Sequence, residues 1–411
     1  MIIRGTAYID GNYENCYIGM EEGKIDFVKK SLKTSEEVKE LEGVILPAGI
    51  DMHVHFREPG MTEKEDFYTG SVSAACGGIT TVMEMPNTDP PTDTYKRLKK
   101  KIKIGREKSV IDFGLYGLLS EEVDEMAELT DFFKVYMASS TGDQKMGQEE
   151  LKKLLTSAYS HDANVAFHCE DEDLFNEEGE DLAGHNQHRP LESELNAIDD
   201  LRDMPEGDKY LCHLTSKKSL DKTISQDFLN EVTPHHLFLS EEALLGPFGK
   251  VNPPLRKENT RFPIWKAFER GKFDFIASDH APHLEEEKKD FSDAPSGVPG
   301  VETLYPLLLN AVSRGKVDLS TVIEGLALNP AKRLGLKRGK IKEGYDAELI
   351  NIDFRDTEPI KGEKLHYKCG WSPFEGFQGV FPKNVISKGE FIVEDNEFVG
   401  EKGRGEYIED N

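Results

Sequence analysis

Between about residues 50 and 335, short apolar runs alternate with longer polar stretches compatible with helix. Eight runs stand out: "IDMHVHF" from Ile50, "ITTVMEMP" from Ile79, "IDFGLYGLL" from Ile111, "FFKVYM" from Phe132, "NVAFHCE" from Asn164, "YLCHLTS" from Tyr210, "FLNEVTPHHLFL" from Phe228 and "FDFIASDHAPH" from Phe273. Strands that alternate with helices form parallel sheets flanked by helices. From His53 to Asp279 is 226 residues, about 32 for each of the seven intervals, a spacing that suits a (β/α)8 barrel. A doubly wound sheet alternates in the same way, so the count favours the barrel without deciding it.

The two ends carry a different pattern. Residues 1–48 and 340–411 show short strand-like pieces broken by turns, such as "VISKGEFIVEDNEFVG", as antiparallel sheets do. The expected architecture is α/β: a (β/α)8 TIM barrel over 49–339, and a small composite β-sandwich domain built from 1–48 and 340–411.

Within the apolar runs, certain polar residues are out of place. In a strand, alternate side chains share a face. His53, His55 and Arg57 are therefore expected to project together, with Met52, Val54 and Phe56 opposite. Asn87 follows the second run and Lys134 lies inside the fourth. His168 ends the fifth run, His213 the sixth and Asp279 the eighth. Charge in such surroundings is costly unless paired, and catalytic groups of barrels gather at the C-terminal ends of strands. Four histidines and an aspartate from different strands suit a zinc-type site. An ammonium cannot ligate a cation. Burial favours the neutral amine of a lysine, however, and such an amine forms a carbamate with carbon dioxide, an anion able to bridge two metal ions. Snorkelling from a strand end is the other reading of Lys134.

Composition narrows the partners. The chain has 411 residues with formal charge −26, so its average field repels nucleic acid and anionic membranes. A bound anion needs locally placed donors. The five cysteines are scattered without CxxC spacing, which implies a reducing compartment. The N-terminus lacks an apolar signal-like stretch and no run reaches the length of a membrane span. A cytoplasmic protein is expected, with no nucleic-acid or membrane partner. Neither "GxxxxGK[ST]" nor a strand-linked "GxGxxG" occurs, which argues against a nucleotide enzyme.

The motifs "PAGIDMHVHFREPG", "GGITTVMEMPNT", "FKVYM", "FHCED", "CHLTS", "VNPPLR" and "ASDHAPH", followed by "GWSPFEGFQG", span most of the chain. In that order they resemble the dihydroorotase family of the amidohydrolase superfamily. The resemblance implies a hydrolase with two zinc ions per subunit. His53, His55 and Asp279 would bind one ion, His168 and His213 the other, and Lys134 would bridge them as its N6-carboxylated form. Arg57 and Asn87 would hold a substrate carboxylate, with Asn252 and His283 contacting the ring or that carboxylate. The implied reaction is the reversible cyclisation of N-carbamoyl-L-aspartate to (S)-dihydroorotate in pyrimidine biosynthesis, with Asp279 as general acid/base. Hydantoinases lack an arginine of this kind, and allantoinases usually read "MPLN" where this chain has "MPNT". Those enzymes, and a metal-free scaffold homologue, remain the rival readings. A homodimer and association with a carbamoyltransferase stay open as partnerships.

Other residues read as structural. Cys169 and Cys212, each beside a proposed ligand, are expected to point away from it by alternation. His235 and His236 fit strand-end roles. His161, His185, His188, Arg189 and His366 read as surface residues, and "HLEEEKKD" (283–290) as a solvated loop. The segment "ASSTGDQ" (138–144) reads either as a closing loop, with Ser140 or Thr141 contacting ligand, or as an ordinary turn.

Overall fold

The computed structural model describes residues 1–138 and 146–410. Four strands open the chain: β1 (Ile2–Ile9), β2 (Asn12–Glu21), β3 (Lys24–Lys29) and β4 (Val38–Pro47). All eight apolar runs then form strands: β5 (Gly49–Val54), β6 (Ile79–Glu84), β7 (Asp112–Leu115) with its continuation β8 (Gly117–Leu118), β9 (Phe132–Tyr136), β10 (Asn164–His168), β11 (Lys209–Leu211), β12 (Leu229–Val232) and β13 (Phe275–Ile276). They pair in parallel as β5-β6-β7 and as β8-β9-β10-β11-β12-β13. Past the end of β13, His280 forms a parallel bridge with Val54 and accepts the backbone hydrogen of His55 at 2.8 Å. The last strand of the series thus meets the first.

Helices follow the strands and begin on fitting caps. Asp66 accepts from Tyr68 N and Thr69 N at the start of Phe67–Cys76, and Thr94 accepts from Arg97 N at the start of Tyr95–Lys108, satisfying donors that a helix leaves open. Alternation sorts the strands into two packing layers. Phe133, Val135, Val165 and Phe167 face the helices, packed with Phe56, Phe67 and Phe113. Phe132, Ala166, Tyr210 and Phe275 pack on the opposite side with Ile50, Met52, Met83 and Tyr116.

The remaining strands are β14 (Leu349–Ile352), β15 (Glu358–Pro359), β16 (Gln378–Gly379), β17 (Asn384–Ser387), β18 (Glu390–Glu394) and β19 (Glu397–Phe398). One eight-stranded sheet runs β19-β18-β17-β14-β4-β1-β2-β3, joined where β4 meets β14 antiparallel. Both ends of the chain therefore share a sheet. The expectation that all of 340–411 belongs with it needs refinement. Residues 358–379 leave the sheet, and Ile360, Tyr367, Trp371 and Phe374 pack with Leu239, Val251 and Leu255 of the α/β part. The chain end also returns there: Phe113 donates its backbone hydrogen to Glu406 O at 2.9 Å.

A buried ion cluster ties the two parts together. Arg338 Nη2 lies 2.5 Å from Asp112 Oδ2 on β7, and Arg338 Nε lies 3.0 Å from Asp346 Oδ2. Lys388 Nζ reaches Asp112 Oδ1 at 2.8 Å. Burial alone would raise the Asp112 carboxyl, but Arg338 and Lys388 hold it below the ordinary range.

Candidate active site

The strand ends converge. His53, His55, Arg57, Asn87, Lys134, His168, His213, Asn252 and Asp279 line one cavity, together with Tyr136, Ser296 and Gly297. Lys134 and Tyr136 reach it by alternation from Phe132, and His168 likewise from Ala166. Backbone geometry places others. Arg57, His213 and Asp279 have φ of 61°, 39° and 47°, left-handed conformations that cost roughly 1–3 kcal/mol each for non-glycine residues and cluster at functional sites. At Gly297, with φ 139°, a Cβ would stand 2.6 Å from Ala281 O, so only glycine fits this wall.

Alternation therefore fails along "IDMHVHF". The β5–β6 register shifts between Asp51 and Val54, as at a β-bulge. Met52 ends up with the inner layer while Val54 and Phe56 face the helices. Arg57 reaches the cavity through its left-handed turn, not as a third step along a strand face. The same kind of turn at His213 corrects the expectation for Cys212, whose Sγ lies inside, 2.9 Å from Lys134 Nζ. Cys169 packs among the outer apolar residues, as alternation implies.

The imidazoles form a contiguous cluster. Ring centroids of His53 lie 5.2 Å from His55 and 5.4 Å from His213, and those of His168 and His213 lie 4.8 Å apart. Three of the rings keep one nitrogen tied behind and turn the other toward the centre. His53 Nδ1 is 3.1 Å from Glu231 Oε1, and its Nε2 faces Asp279 Oδ1 at 3.4 Å. His55 Nδ1 is 2.6 Å from Asn87 Oδ1, and its Nε2 is 3.0 Å from the same aspartate oxygen. His168 Nε2 is 2.9 Å from Glu170 Oε2, and its Nδ1 faces His213 Nε2 at 3.1 Å. His213 Nδ1 is buried without a partner. The donors of His53, His55 and Asp279 lie within 4.8 Å of one another.

Electrostatics follow from this packing. Burial opposes charge on His53, but Glu231 and Asp279 override it and raise the imidazole well above its ordinary range. Burial lowers His55 to about 3, and it lowers His213 well below its usual value with help from His168. Burial would raise Asp279, yet His53 and His55 hold it well below the carboxylate range. Lys134 is fully buried. Among the described residues no carboxylate lies within ion-pair distance of its Nζ; the Cys212 thiol and the Tyr136 ring, 5.3 Å away, are its surroundings.

Arg57 is equally isolated. It is buried, and its guanidinium bonds Pro282 O at 3.2 Å and His283 Nε2 at 3.1 Å. Among the described residues no carboxylate comes within 4 Å of it. His283 stands behind Arg57 and is not one of the cavity's lining residues; its Nδ1 faces Lys64 Nζ at 3.2 Å. Asn252 Oδ1 is 3.0 Å from His185 Nε2.

Several surface expectations need correction. His185 is buried against Val251 and Asn252, and Arg189 is buried on Glu170, the carboxylate that ties His168. In "HLEEEKKD", Lys288 is buried and its Nζ donates to Pro295 O at 2.6 Å. His236 bonds Thr233 Oγ1 at 2.8 Å and Pro253 O at 3.1 Å, whereas His235 Nε2 is buried without a partner. The segment 138–144 lies outside the described residues except for Ala138. The supports Glu231 and Glu170 escaped notice in the sequence, although an acidic residue inside "FLNEV" or after "FHC" raises the same burial problem as Lys134.

Comparison with known proteins agrees with this arrangement. The profile of the Amidohydrolase family matches residues 44–392, and solved structures align along nearly the whole chain. An L-hydantoinase (dihydropyrimidinase) from Arthrobacter aurescens has a TM-score of 0.93 at 25% identity, covering 99% of this chain and 98% of its own. A D-hydantoinase has a TM-score of 0.90 at 27% identity, with the same coverage. The chain belongs to the amidohydrolase family. Within it, the sequence is similar to proteins named dihydroorotase: that of Methanosarcina acetivorans is 40% identical, covering 98% of this chain and 93% of that protein, and that of Halobacterium salinarum is 38% identical, covering 95% and 96%.

Proposed function

We propose that this chain acts as a dihydroorotase, interconverting N-carbamoyl-L-aspartate and (S)-dihydroorotate. One observation carries the choice of substrate: a buried guanidinium that no carboxylate among the described residues approaches within 4 Å lines the cavity beside the histidine cluster. A buried unpaired cation is costly, and a ring bearing a carboxylate removes that cost. A hydantoin ring brings no such anion. The proteins named dihydroorotase, similar over nearly the whole chain, support the same choice.

The donor set suits a pair of divalent cations. His53, His55 and Asp279 would hold one, His168 and His213 the other, with N6-carboxylated Lys134 bridging; zinc is the ion proposed. In support, the rings already turn one nitrogen each inward, and the buried Lys134 amine gains a reason for its burial once it carries a carbamate. Such ions, when bound, polarise a carbonyl and lower the pKa of water.

The residues of the chain supply the rest. Arg57 donates charge-assisted hydrogen bonds to the substrate carboxylate. Asn87, whose oxygen is committed to His55, offers its amide hydrogens to the same group. Asn252 borders the ring, and His283 fixes Arg57 from behind. In hydrolysis, Asp279 accepts the proton of the attacking water and passes it to the leaving ring nitrogen; in cyclisation the proton moves in reverse. At the level of the fold, we read the parallel strands as a (β/α)8 barrel closed at Val54–His280, and the terminal sheet as a composite β-sandwich domain, with 1–48, 49–339 and 340–411 as their approximate extents.

Assays of the purified, zinc-supplied protein with dihydroorotate, hydantoin and allantoin test the proposal. Turnover of dihydroorotate is expected. Turnover confined to the other two rings would overturn the assignment.

A further inference from the structure

A second cluster of metal-binding side chains lies outside the cavity, on the helix-covered flank. Cys76 ends the helix Phe67–Cys76, Glu302 begins the helix Val301–Ser313, and His366 lies in the segment that departs from the terminal sheet. Their donor atoms all lie within 4.8 Å of one another. They line a groove that also includes Lys364, Phe381 and Pro382.

The cluster has a built geometry. Glu302 is 3% exposed in its side chain, and it grips His366 twice: Oε2 accepts the backbone hydrogen and Oε1 faces ring Nδ1, both at 2.7 Å. That grip fixes the tautomer and turns Nε2 toward Cys76 Sγ, 3.7 Å away. A tetrahedral cation with bonds of about 2.3 Å to sulfur and about 2.0 Å to nitrogen sets those donors roughly 3.6 Å apart. A carboxylate behind the ligating imidazole is the usual support of such a ligand. The ring is 40% exposed, so an ion has an approach from solvent.

We propose that Cys76 and His366 form a binding site for a borderline-soft divalent cation of the zinc type, with Glu302 orienting the imidazole. Thiolate and imidazole select such an ion over magnesium or calcium. The ion would clamp residues 358–379 onto the helix Phe67–Cys76. That segment also donates Trp371 Nε1 to His283 O at 2.8 Å, so the clamp steadies the layer behind Arg57. The site is independent of the proposed reaction and stands or falls separately from it.

Cadmium chloride titrated into the purified full chain is the test, read by thiolate-to-cadmium charge-transfer absorption in the ultraviolet. The band should appear in the wild type, survive Cys212→Ser, and be lost in Cys76→Ser. His366→Ala, a change at a half-exposed position, should weaken the cadmium affinity read from the Cys76 band at least about tenfold and reduce the rise in melting temperature that cadmium gives the wild type. The proposal is overturned by no band in the wild type, by an undiminished band in Cys76→Ser, or by unchanged cadmium affinity in His366→Ala. Rapid alkylation of Cys76 without cadmium binding would likewise replace the cation site with a merely nucleophilic thiol.

Discussion

Glu231 Oε1 lies 3.1 Å from His53 Nδ1 and 2.9 Å from the backbone nitrogen of His213, so one carboxylate oxygen ties two of the four clustered histidines. Its other oxygen takes the Tyr210 hydroxyl. Supports of this kind orient ligating rings and raise their basicity. Glu231→Gln is therefore expected to lower zinc affinity by about 10–100-fold, as measured by competition with a chelator.

Lys134 is predicted to be indispensable for the reaction and replaceable by chemistry. Lys134→Ala should show no detectable turnover, and added short carboxylic acids should restore part of it by supplying the missing bridging anion. Full activity in the untreated mutant would remove the bridge from the mechanism.

Arg57→Ala should raise KM for dihydroorotate by roughly 10–100-fold, the loss of one or two hydrogen bonds to a charged group. Zinc content should be unchanged, because Arg57 bonds Pro282 and His283 rather than the histidine cluster. An unaltered KM would detach Arg57 from the substrate.

Asp279→Asn separates two tasks. The amide keeps the shape of the side chain but cannot accept the proton, so kcat should fall by roughly 10²–10⁴-fold. Bound zinc, by elemental analysis, should decline less than activity does.

The Asp112 cluster gives a prediction about stability. Its carboxyl is held below the unfolded value, so the stability it contributes is present above about pH 4 and is lost as pH falls through the lower folded value. Asp112→Asn leaves Lys388 and Arg338 short of a buried partner, a loss of about 3 kcal/mol moderated by the Asp346 contact of Arg338. Thermal melts should show a lower Tm near neutrality, and the gap from wild type should narrow below about pH 4.

Much of the frame was legible along the chain. Each apolar run became a strand because burial of alternate side chains imposes its period on the sequence. The displaced polar residues marked the site, because charge inside an apolar run survives burial only with a partner, and nine of the ten proposed site residues line one cavity. The tenth, His283, stands one step behind. Reading failed where the backbone leaves its period. The bulge after Asp51 and the left-handed turns at Arg57 and His213 redirect side chains, so His53 and His213 reach the cavity although their neighbours Met52 and Cys212 also face inward. His185, Arg189 and Lys288 look like surface residues in a linear view, yet each is covered by segments remote in sequence, such as Val251 over His185.

The sequence by itself determined the elements, their order and the kinds of group that gather at the strand ends, since these depend on local periodicity and on the cost of burying charge. Tertiary structure alone decided which nitrogen of each histidine faces inward, that Glu231 and Glu170 hold them so, and that among the described residues no carboxylate comes within 4 Å of Arg57. Those properties arise from contacts between residues as far apart as His53 and Glu231, 178 positions away, and no local pattern encodes a distance of that kind.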